Sequence, residues 1–325
     1  MTRPTTLVTG GAGYVGSTLV ADLLAAGRHV RVLDSVAVGD GRSLLQFWAD
    51  PRFEFIRGDV RDPGLRTAVL EDVDAVVHLA AVVGDPACKR EPEQAREVNL
   101  EATRSLLAAS RAAGVSRFLF ASTCSNYGKM EDGAGYVSED WDLRPVSLYA
   151  ETKVAAELEV LDATDDGFAT TCLRFATVYG TSPRMRFDLT VNEFTRDAFV
   201  NGELVVYGEQ FWRPYIHVRD AARAIVTVLD AQAEGVSGDV FNVGNTQENY
   251  RKQDLVELLL ERLPETRVER VLQADDPRDY RVSFDKINSQ LGYETSRTVP
   301  DGLDEVLELL RADLVGDPFA PAFRN

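Results

Sequence analysis

The sequence predicts an α/β fold in which a doubly wound parallel sheet carries a smaller, interleaved C-terminal lobe. Short apolar runs alternate with helical patterns as far as Gly180, a rhythm typical of right-handed βαβ units. Beyond Gly180 the pattern is irregular, and a strong helix and a strand return within residues 215–243. We therefore expect residues 1–180, completed by 215–243, to form the sheet domain, and residues 181–325 to form the smaller lobe.

Each predicted element follows from hydrophobic periodicity. Residues 75–80 are almost all apolar, as expected of a strand buried on both faces of a sheet. The other strands are predicted at 5–9, 29–34, 53–58, 117–123, 169–179, 204–207 and 239–243. Helices are predicted at 16–26, 92–113, 147–163, 190–200, 218–231, 253–263 and 301–312.

Composition excludes several classes of partner. The net charge of −17 disfavours nucleic acid and anionic membranes, because both bind basic surfaces. A phosphate site in this chain must then be a local cluster of arginines and backbone N–H groups. No apolar run approaches the roughly 20 residues of a membrane span, and the cysteines, Cys88, Cys124 and Cys172, are few and odd in number. We expect a cytoplasmic protein without a signal peptide, a disulfide framework or a metal.

A glycine-rich turn follows the first predicted strand. Gly10, Gly13 and Gly16 are spaced so that the backbone can turn tightly, approach a pyrophosphate and pack the next helix on the strand. With Tyr14 and Val15 they open that helix, whose free N–H groups and dipole favour phosphate. This context predicts a Rossmann-type dinucleotide site, although a merely flexible turn would use the same residues.

An acidic residue ends the second strand. Asp34 can accept hydrogen bonds from the ribose hydroxyls of an adenosine and repels a 2′-phosphate, so NAD is favoured over NADP. Asp34 can equally cap the turn that follows it. Asp59 and Val60 follow the third strand and either border the adenine or form an ordinary turn.

A tyrosine and a lysine four residues apart share one face of a predicted helix. The ammonium of Lys153 would lower the pKa of Tyr149 toward neutral, so that the phenol can remove a proton from an alcohol. Thr123, at the end of the fifth strand, could bind the same substrate oxygen. The alternatives are a solvated helix face and a threonine without a chemical role.

Together these motifs resemble the extended short-chain dehydrogenase/reductases, and the resemblance covers nearly the whole chain. It rests on the glycine triplet, Asp34, His78-Leu79-Ala80-Ala81, Asn99, the run Ser122 to Gly128, and Tyr149 with Lys153. It implies an NAD-dependent enzyme of nucleotide-linked sugars with Thr123, Tyr149 and Lys153 as the catalytic residues. It also implies that Ala80, Ala81, Asn99 and Thr177 line the cofactor, although simple packing could explain Ala80, Ala81 and Asn99.

The residues after Thr123 narrow the reaction within that family. In the family that this chain resembles, sugar-nucleotide 4,6-dehydratases carry Asp and Glu at the positions of Cys124 and Ser125. Decarboxylases carry a Glu at the position of Ser125. Enzymes that epimerise at C3 and C5 carry a Cys at the Ser125 position, one residue later than Cys124. The resemblance therefore implies a 4-epimerase that oxidises C4 transiently, or alternatively a C4 dehydrogenase or 4-ketoreductase.

Substrate contacts are expected mainly from the smaller lobe. Arginine suits bidentate phosphate binding, whereas any single arginine here could also form a surface ion pair. The predicted substrate contacts are Val83, Cys88, Ser125, Arg184, Asn192, Arg213 and Arg278. The runs 82–90, 182–189 and 278–283 resemble a subgroup acting on ADP- or GDP-linked heptoses, and residues 83–89 are expected to form a loop facing the sugar.

Three further expectations stay open. The family resemblance implies a homodimer built from the helices at 92–113 and 147–163. His217 is expected to be a structural residue at a helix entry rather than a catalyst. The competing functions are a cofactor-binding sensor and a reductase of non-sugar carbonyls. An intact Tyr149 and Lys153 disfavour the sensor. The expected diphosphate contacts, Asn192, Arg213 and Arg278, disfavour the non-sugar reductase.

Overall fold

The computed structural model describes residues 4–130, 135–272 and 278–325. The strands are β1 (Thr5–Thr9), β2 (His29–Asp34), β3 (Phe53–Arg57), β4 (Ala75–His78), β5 (Arg117–Thr123), β6 (Ala169–Phe175), β7 (Thr177–Tyr179), β8 (Glu203–Tyr207), β9 (Trp212–His217), β10 (Asp239–Val243), β11 (Asn249–Arg251) and β12 (Arg267–Val271). Seven of them form one sheet in the order β3-β2-β1-β4-β5-β6-β10, with every pair parallel. The doubly wound parallel sheet predicted from the sequence is thereby confirmed.

Helices cover both faces of this sheet. They are α1 (Tyr14–Ala25), α2 (Pro63–Val69), α3 (Asp85–Arg90), α4 (Pro92–Arg96), α5 (Ala102–Ala112), α6 (Leu148–Asp162), α7 (Thr190–Asn201), α8 (Val218–Asp230), α9 (Lys252–Leu260), α10 (Asp285–Leu291) and α11 (Val299–Arg311). The apolar sides of α1 and α8 form one core against the sheet, and those of α2, α5 and α6 form a second. A third core joins α7, α9 and α11 to β8 and β9. No helix within the described ranges is long and apolar enough to cross a membrane.

Three predicted elements take another form in the structure, and β9, β11, β12, α2 and α10 were not predicted. The segment 169–179 is split, because the chain leaves the large sheet after β6 and β7 pairs instead with β9. The helix expected at 92–113 is divided into α4 and α5 by a π-helical turn at Glu97–Glu101. The loop expected at 83–89 is wrong, since Gly84 adopts a φ of +87° and α3 then begins at Asp85, with Pro86 in its first turn.

Candidate active site

The glycine-rich turn is closed so tightly that side chains are excluded from it. A Cβ on Gly10 would lie 2.8 Å from the backbone nitrogen of Ala80, and a Cβ on Gly16 would lie 2.2 Å from the carbonyl oxygen of Gly10. Gly13 precedes α1 as its N-cap and offers no side chain to the first N–H groups. The turn therefore leaves backbone donors available at a helix N-terminus, an arrangement that fits the pyrophosphate of a dinucleotide.

Asp34 both caps the turn and faces the predicted ribose site. Its carboxylate accepts hydrogen bonds from the backbone nitrogens of Ala12 and Val36, at 2.9 and 2.8 Å. Burial raises the pKa of this carboxyl above its ordinary value. The two interpretations of Asp34 are compatible, because a carboxylate can accept more than two hydrogen bonds. Farther along this edge, Asp59 pairs with Arg61 at 2.8 Å, and Val60 is buried.

Residues after β4 are fixed by side chains rather than by strand pairing. The backbone nitrogen of Ala80 donates to Thr9 Oγ1 at 3.3 Å, and Ala81 beside it is half-buried. The buried amide of Asn99 accepts from the nitrogen of Val82 at 2.8 Å and donates to its oxygen at 3.0 Å. Asn99 thus shapes the chain next to the predicted cofactor, and the contact with NAD itself stays a prediction.

The structure brings the three predicted catalytic residues to the same end of the sheet. Ser147 caps α6 and accepts from the nitrogen of Ala150, so Tyr149 lies in the first turn and Lys153 one turn later. The Lys153 ammonium donates to the carbonyl oxygen of Ala121 at 2.7 Å, two residues before Thr123. Lys153 is 3% exposed, and burial lowers its pKa to about 8.

The electrostatics of Tyr149 differ from the expectation. Burial raises the pKa of its phenol, and the neighbouring Cys88 raises it further. Arg186 is the first cation that opposes this rise. A pKa lowered toward neutral by Lys153 is therefore wrong for the protein alone, because desolvation of the phenol outweighs the nearby positive charge.

Beneath the catalytic helix lies a buried polar cluster, the Glu157 network, formed by Ser122, Tyr127, Glu157, Arg174 and Asn242. Glu157 and Arg174 pair at 2.6 Å with side chains 0% and 5% exposed. Ser122 donates to Glu157 at 2.5 Å, Arg174 donates to Tyr127 at 2.8 Å, and Tyr127 donates to Asn242 at 2.7 Å. The network connects α6, which carries Glu157, to β5, β6 and β10, which carry Ser122, Arg174 and Asn242. Glu157 lies one turn after Lys153 on α6.

The predicted substrate side contains a second group of contacts. The hydroxyls of Ser125 and Tyr280 lie 3.4 Å apart, and the Arg213 guanidinium lies 5.5 Å from the centre of the Tyr280 ring. Arg278 forms an ion pair with Asp85 at 3.0 Å, next to the buried Cys88. Tyr280 was not predicted, and a tyrosine between arginines was the only signal in the sequence. Val83 and Thr177 are both half-buried.

Asn192 is committed to the protein interior. Its amide accepts from the nitrogen of Gly180 at 2.9 Å and donates to the oxygen of Arg186 at 2.8 Å and to the Tyr14 hydroxyl at 3.3 Å. The Tyr14 hydroxyl in turn donates to the oxygen of Gly180 at 2.6 Å. These bonds join the first turn of α1 to the chain after β7, and a diphosphate contact of Asn192 stays a prediction.

His217 enters α8 as expected. Its Nδ1 accepts from the backbone nitrogen of Arg219 at 3.2 Å, which makes it the N-cap of the helix. Its Nε2 lies 2.5 Å from the Glu305 carboxylate. Both ring nitrogens are thus used within the protein, and the structural role predicted for His217 is confirmed.

Known proteins agree with this geometry. Residues 6–244 match the model of the NAD dependent epimerase/dehydratase family. A dTDP-glucose 4,6-dehydratase of Actinoplanes sp. is 32% identical over 94% of this chain and 98% of its own length. A UDP-glucose 4-epimerase of Lactobacillus helveticus is 30% identical over 77% of this chain and 79% of its own length.

Solved structures give the same result. The dTDP-glucose 4,6-dehydratase DesIV of Streptomyces venezuelae, crystallised with NAD, is 31% identical with a TM-score of 0.85, covering 95% of this chain and 97% of its own. The UDP-glucuronic acid 4-epimerase of Bacillus cereus, also with NAD, is 25% identical with a TM-score of 0.85, covering 95% and 99%. The chain belongs to the NAD-dependent epimerase/dehydratase family and is an enzyme that uses NAD.

Proposed function

We propose that this enzyme is a nucleotide-sugar 4-epimerase that acts by transient oxidation at C4. The observation that carries the proposal is the pair of residues after Thr123, which are Cys124 and Ser125 rather than acids. Elimination of water or loss of a carboxylate needs further acid–base groups beside the sugar. With Tyr149 as the assigned proton carrier and no acid at positions 124 and 125, the site suits a reaction confined to C4.

The surroundings of Cys124 support this choice. Its thiol is 1% exposed and donates to the carbonyl oxygen of Arg174 at 3.1 Å. Burial raises the pKa of the thiol well above its ordinary value. A thiol that is buried and hydrogen-bonded in this way is expected to behave as a small buried residue rather than as an acid or base.

In this reaction Thr123, Tyr149 and Lys153 each have a separate role. The glycine-rich turn, Asp34 and the residues after β4 would hold NAD, which when bound would supply the hydride acceptor and donor. Tyr149 takes the proton of the C4 hydroxyl and later returns it, and Thr123 hydrogen-bonds the same oxygen. Burial raises the pKa of Tyr149, so the phenolate would be favoured only once the positive charge of bound NAD joins that of Lys153 at this end of the sheet.

We further propose a division of the chain by ligand. Residues 1–180 with 215–243 would bind NAD, and 181–325 would supply the sugar-nucleotide contacts. Arg213 is the best candidate for binding the diphosphate. It is 8% exposed, and its guanidinium lies 5.5 Å from the ring of Tyr280, whose hydroxyl is 3.4 Å from that of Ser125. The runs 82–90, 182–189 and 278–283 favour an ADP- or GDP-linked heptose or hexose. A cytoplasmic homodimer, paired through the segment 92–113 that holds α4 and α5 and through α6, completes the proposal.

The first test follows the sugar itself. Purified protein is incubated with ADP-, GDP-, UDP- and dTDP-linked hexoses and heptoses without added cofactor, and the sugar ring is monitored by NMR. We expect a C4 epimer without net oxidation. Formation of NADH or a 4-keto sugar only after NAD is added would support the alternative, a C4 dehydrogenase or 4-ketoreductase. Loss of water or carbon dioxide would overturn the argument from Cys124 and Ser125, and no reaction with any sugar would overturn the substrate class.

A further inference from the structure

One buried arginine makes no salt bridge with the described residues, although Asp188 and Asp34 act on it from farther away. Arg184 is 8% exposed, and no carboxylate of the described residues approaches its guanidinium within 4.0 Å. Its Nη2 donates to the carbonyl oxygen of Arg324 at 2.9 Å, whereas its Nη1 has no hydrogen-bond partner. Burying a cation in this way is costly unless a partner compensates for the lost hydration.

Arg184 also lines a cavity of about 1010 Å³ bounded by α1, the turn 39–43, the start of α8 and the C-terminal segment. Three other arginines line the same cavity, and each has a carboxylate partner. The pairs are Arg42 with Asp40 at 3.0 Å, Arg219 with Glu305 at 3.3 Å, and Arg223 with Asp220 at 2.8 Å. Arg184 is therefore the exception among the arginines of this cavity.

The position of Arg184 separates it from the predicted substrate side. Ser182 donates to the carbonyl oxygen of Tyr14 at 2.6 Å, which fixes this segment on the first turn of α1. A Cβ built on Gly39 would lie 3.7 Å from Arg184 Nε, so the guanidinium faces the turn that follows β2 and Asp34. The charge felt by Tyr149 comes instead from Arg186, which is paired with Asp188 at 2.8 Å.

We propose that Arg184 binds a phosphoryl group at the cofactor side of this cavity, and not the diphosphate of the sugar substrate as its place in the sequence predicts. A guanidinium matches phosphate oxygens in a bidentate manner, and the incoming oxygens would replace the Arg324 carbonyl as its acceptor. Burial, followed by repulsion from Arg186, lowers the pKa of Arg184 to about 10 against the opposing charges of Asp188 and Asp34, and a bound anion would relieve that repulsion. The phosphoryl group belongs either to NAD or to a separate phosphorylated ligand.

The test compares Arg184→Met with Arg42→Met, which removes an exposed and paired arginine of the same cavity. Binding of NADH, ADP, inorganic pyrophosphate and adenosine is measured by calorimetry, with no dependence on catalytic activity. For Arg184→Met we expect affinity for at least one phosphate-bearing probe to fall about 10-fold or more, and adenosine binding to be unchanged. Arg42→Met should match the wild type within about twofold for every probe.

Competition identifies the source of the phosphoryl group. If NADH displaces the pyrophosphate that depends on Arg184, the group belongs to the cofactor. If one equivalent of pyrophosphate still binds beside NADH, the cavity holds a separate phosphorylated ligand. Unchanged binding of all three phosphate-bearing probes in Arg184→Met would overturn the proposal.

Thermal unfolding supplies a second readout that does not need a ligand. Because no described carboxylate contacts the buried guanidinium, Arg184→Met should unfold at a higher temperature than the wild type when no probe is present. Pyrophosphate should raise the melting temperature of the wild type by more than that of the variant. A variant that melts several degrees lower without any probe would show that Arg184 is a structural residue, and would overturn the proposal.

Discussion

Arg174 and Arg184 are buried to similar extents, 4% and 8% exposed, but their surroundings are opposite. Arg174 has a carboxylate, a phenol and a backbone carbonyl around it, provided by Glu157, Tyr127 and Glu139. The guanidinium of Arg184 has one hydrogen-bond acceptor among the described residues, the carbonyl oxygen of Arg324. A buried charge with a full set of partners is part of the scaffold, whereas a buried charge without them indicates a place where a ligand completes the site.

The largest expected effect tests the closed side of this comparison. Glu157→Gln leaves Arg174 charged and without a carboxylate in the interior, which should lower the free energy of unfolding by about 3–5 kcal/mol. The measurement is equilibrium unfolding in urea. Glu159→Gln is the matched control, because Glu159 lies on the same helix and pairs with Arg104 at the surface. That control should lose less than about 1 kcal/mol.

Equal losses in the two variants would contradict the comparison, since they would mean that burial of the Glu157 and Arg174 pair has no special cost when broken. Arg184→Met gives the opposite sign in the same assay, because it removes a charge that lacks a partner. The two substitutions together therefore separate a structural arginine from one that awaits a ligand.

The sequence predicts the motif-based half of the site better than the contact-based half. Gly10, Gly16 and Asp34 are recognisable because their roles depend on local spacing along one βαβ unit. Strands such as β5 are predicted to the residue because they are apolar and end at polar residues. The start of α3 at Asp85-Pro86 carried a helix signal that was missed.

Other features cannot be read along the chain. The Glu157 network joins residues that lie up to 120 positions apart, as Ser122 and Asn242 do, and only the folded sheet brings them together. The same holds for Arg184 and Arg186, which are two residues apart but face different parts of the site. Their partners, Arg324 and Asp188, distinguish them, and no local pattern shows which partner each side chain reaches.

Lys153 is a third buried cation to compare with Arg174 and Arg184. Its hydrogen-bond partner is the neutral carbonyl oxygen of Ala121. Its pKa is lowered from 10.5 to about 8 by burial. Between these two pH values the unfolded chain binds more protons than the folded one. Stability should therefore rise with pH above about 8, by at most roughly 1.4 kcal/mol per pH unit, and level off near 10.5.

This dependence can be measured by urea unfolding of the wild type and Lys153→Met at pH 7.5, 8.5 and 9.5. The variant has no ammonium to desolvate, so its stability should lack the rise that the wild type shows. Lys89→Met is the control, since Lys89 is exposed on α3 and should leave the slope unchanged. Parallel slopes in the wild type and Lys153→Met would show that Lys153 does not carry the pH dependence.

The smallest expected effect concerns Cys124, which touches the Glu157 network through the carbonyl oxygen of Arg174. In Cys124→Ser a hydroxyl can donate the same hydrogen bond, so kcat should stay within about threefold of the wild type and stability within about 1 kcal/mol. Tyr149→Phe is the reference for a lost proton carrier and should reduce kcat by about 100-fold or more. If Cys124→Ser fell as far as Tyr149→Phe, the thiol would belong to the chemistry and not to the closed scaffold. A reaction confined to C4 would then be unsupported, because it requires Cys124 to take no part in proton transfer.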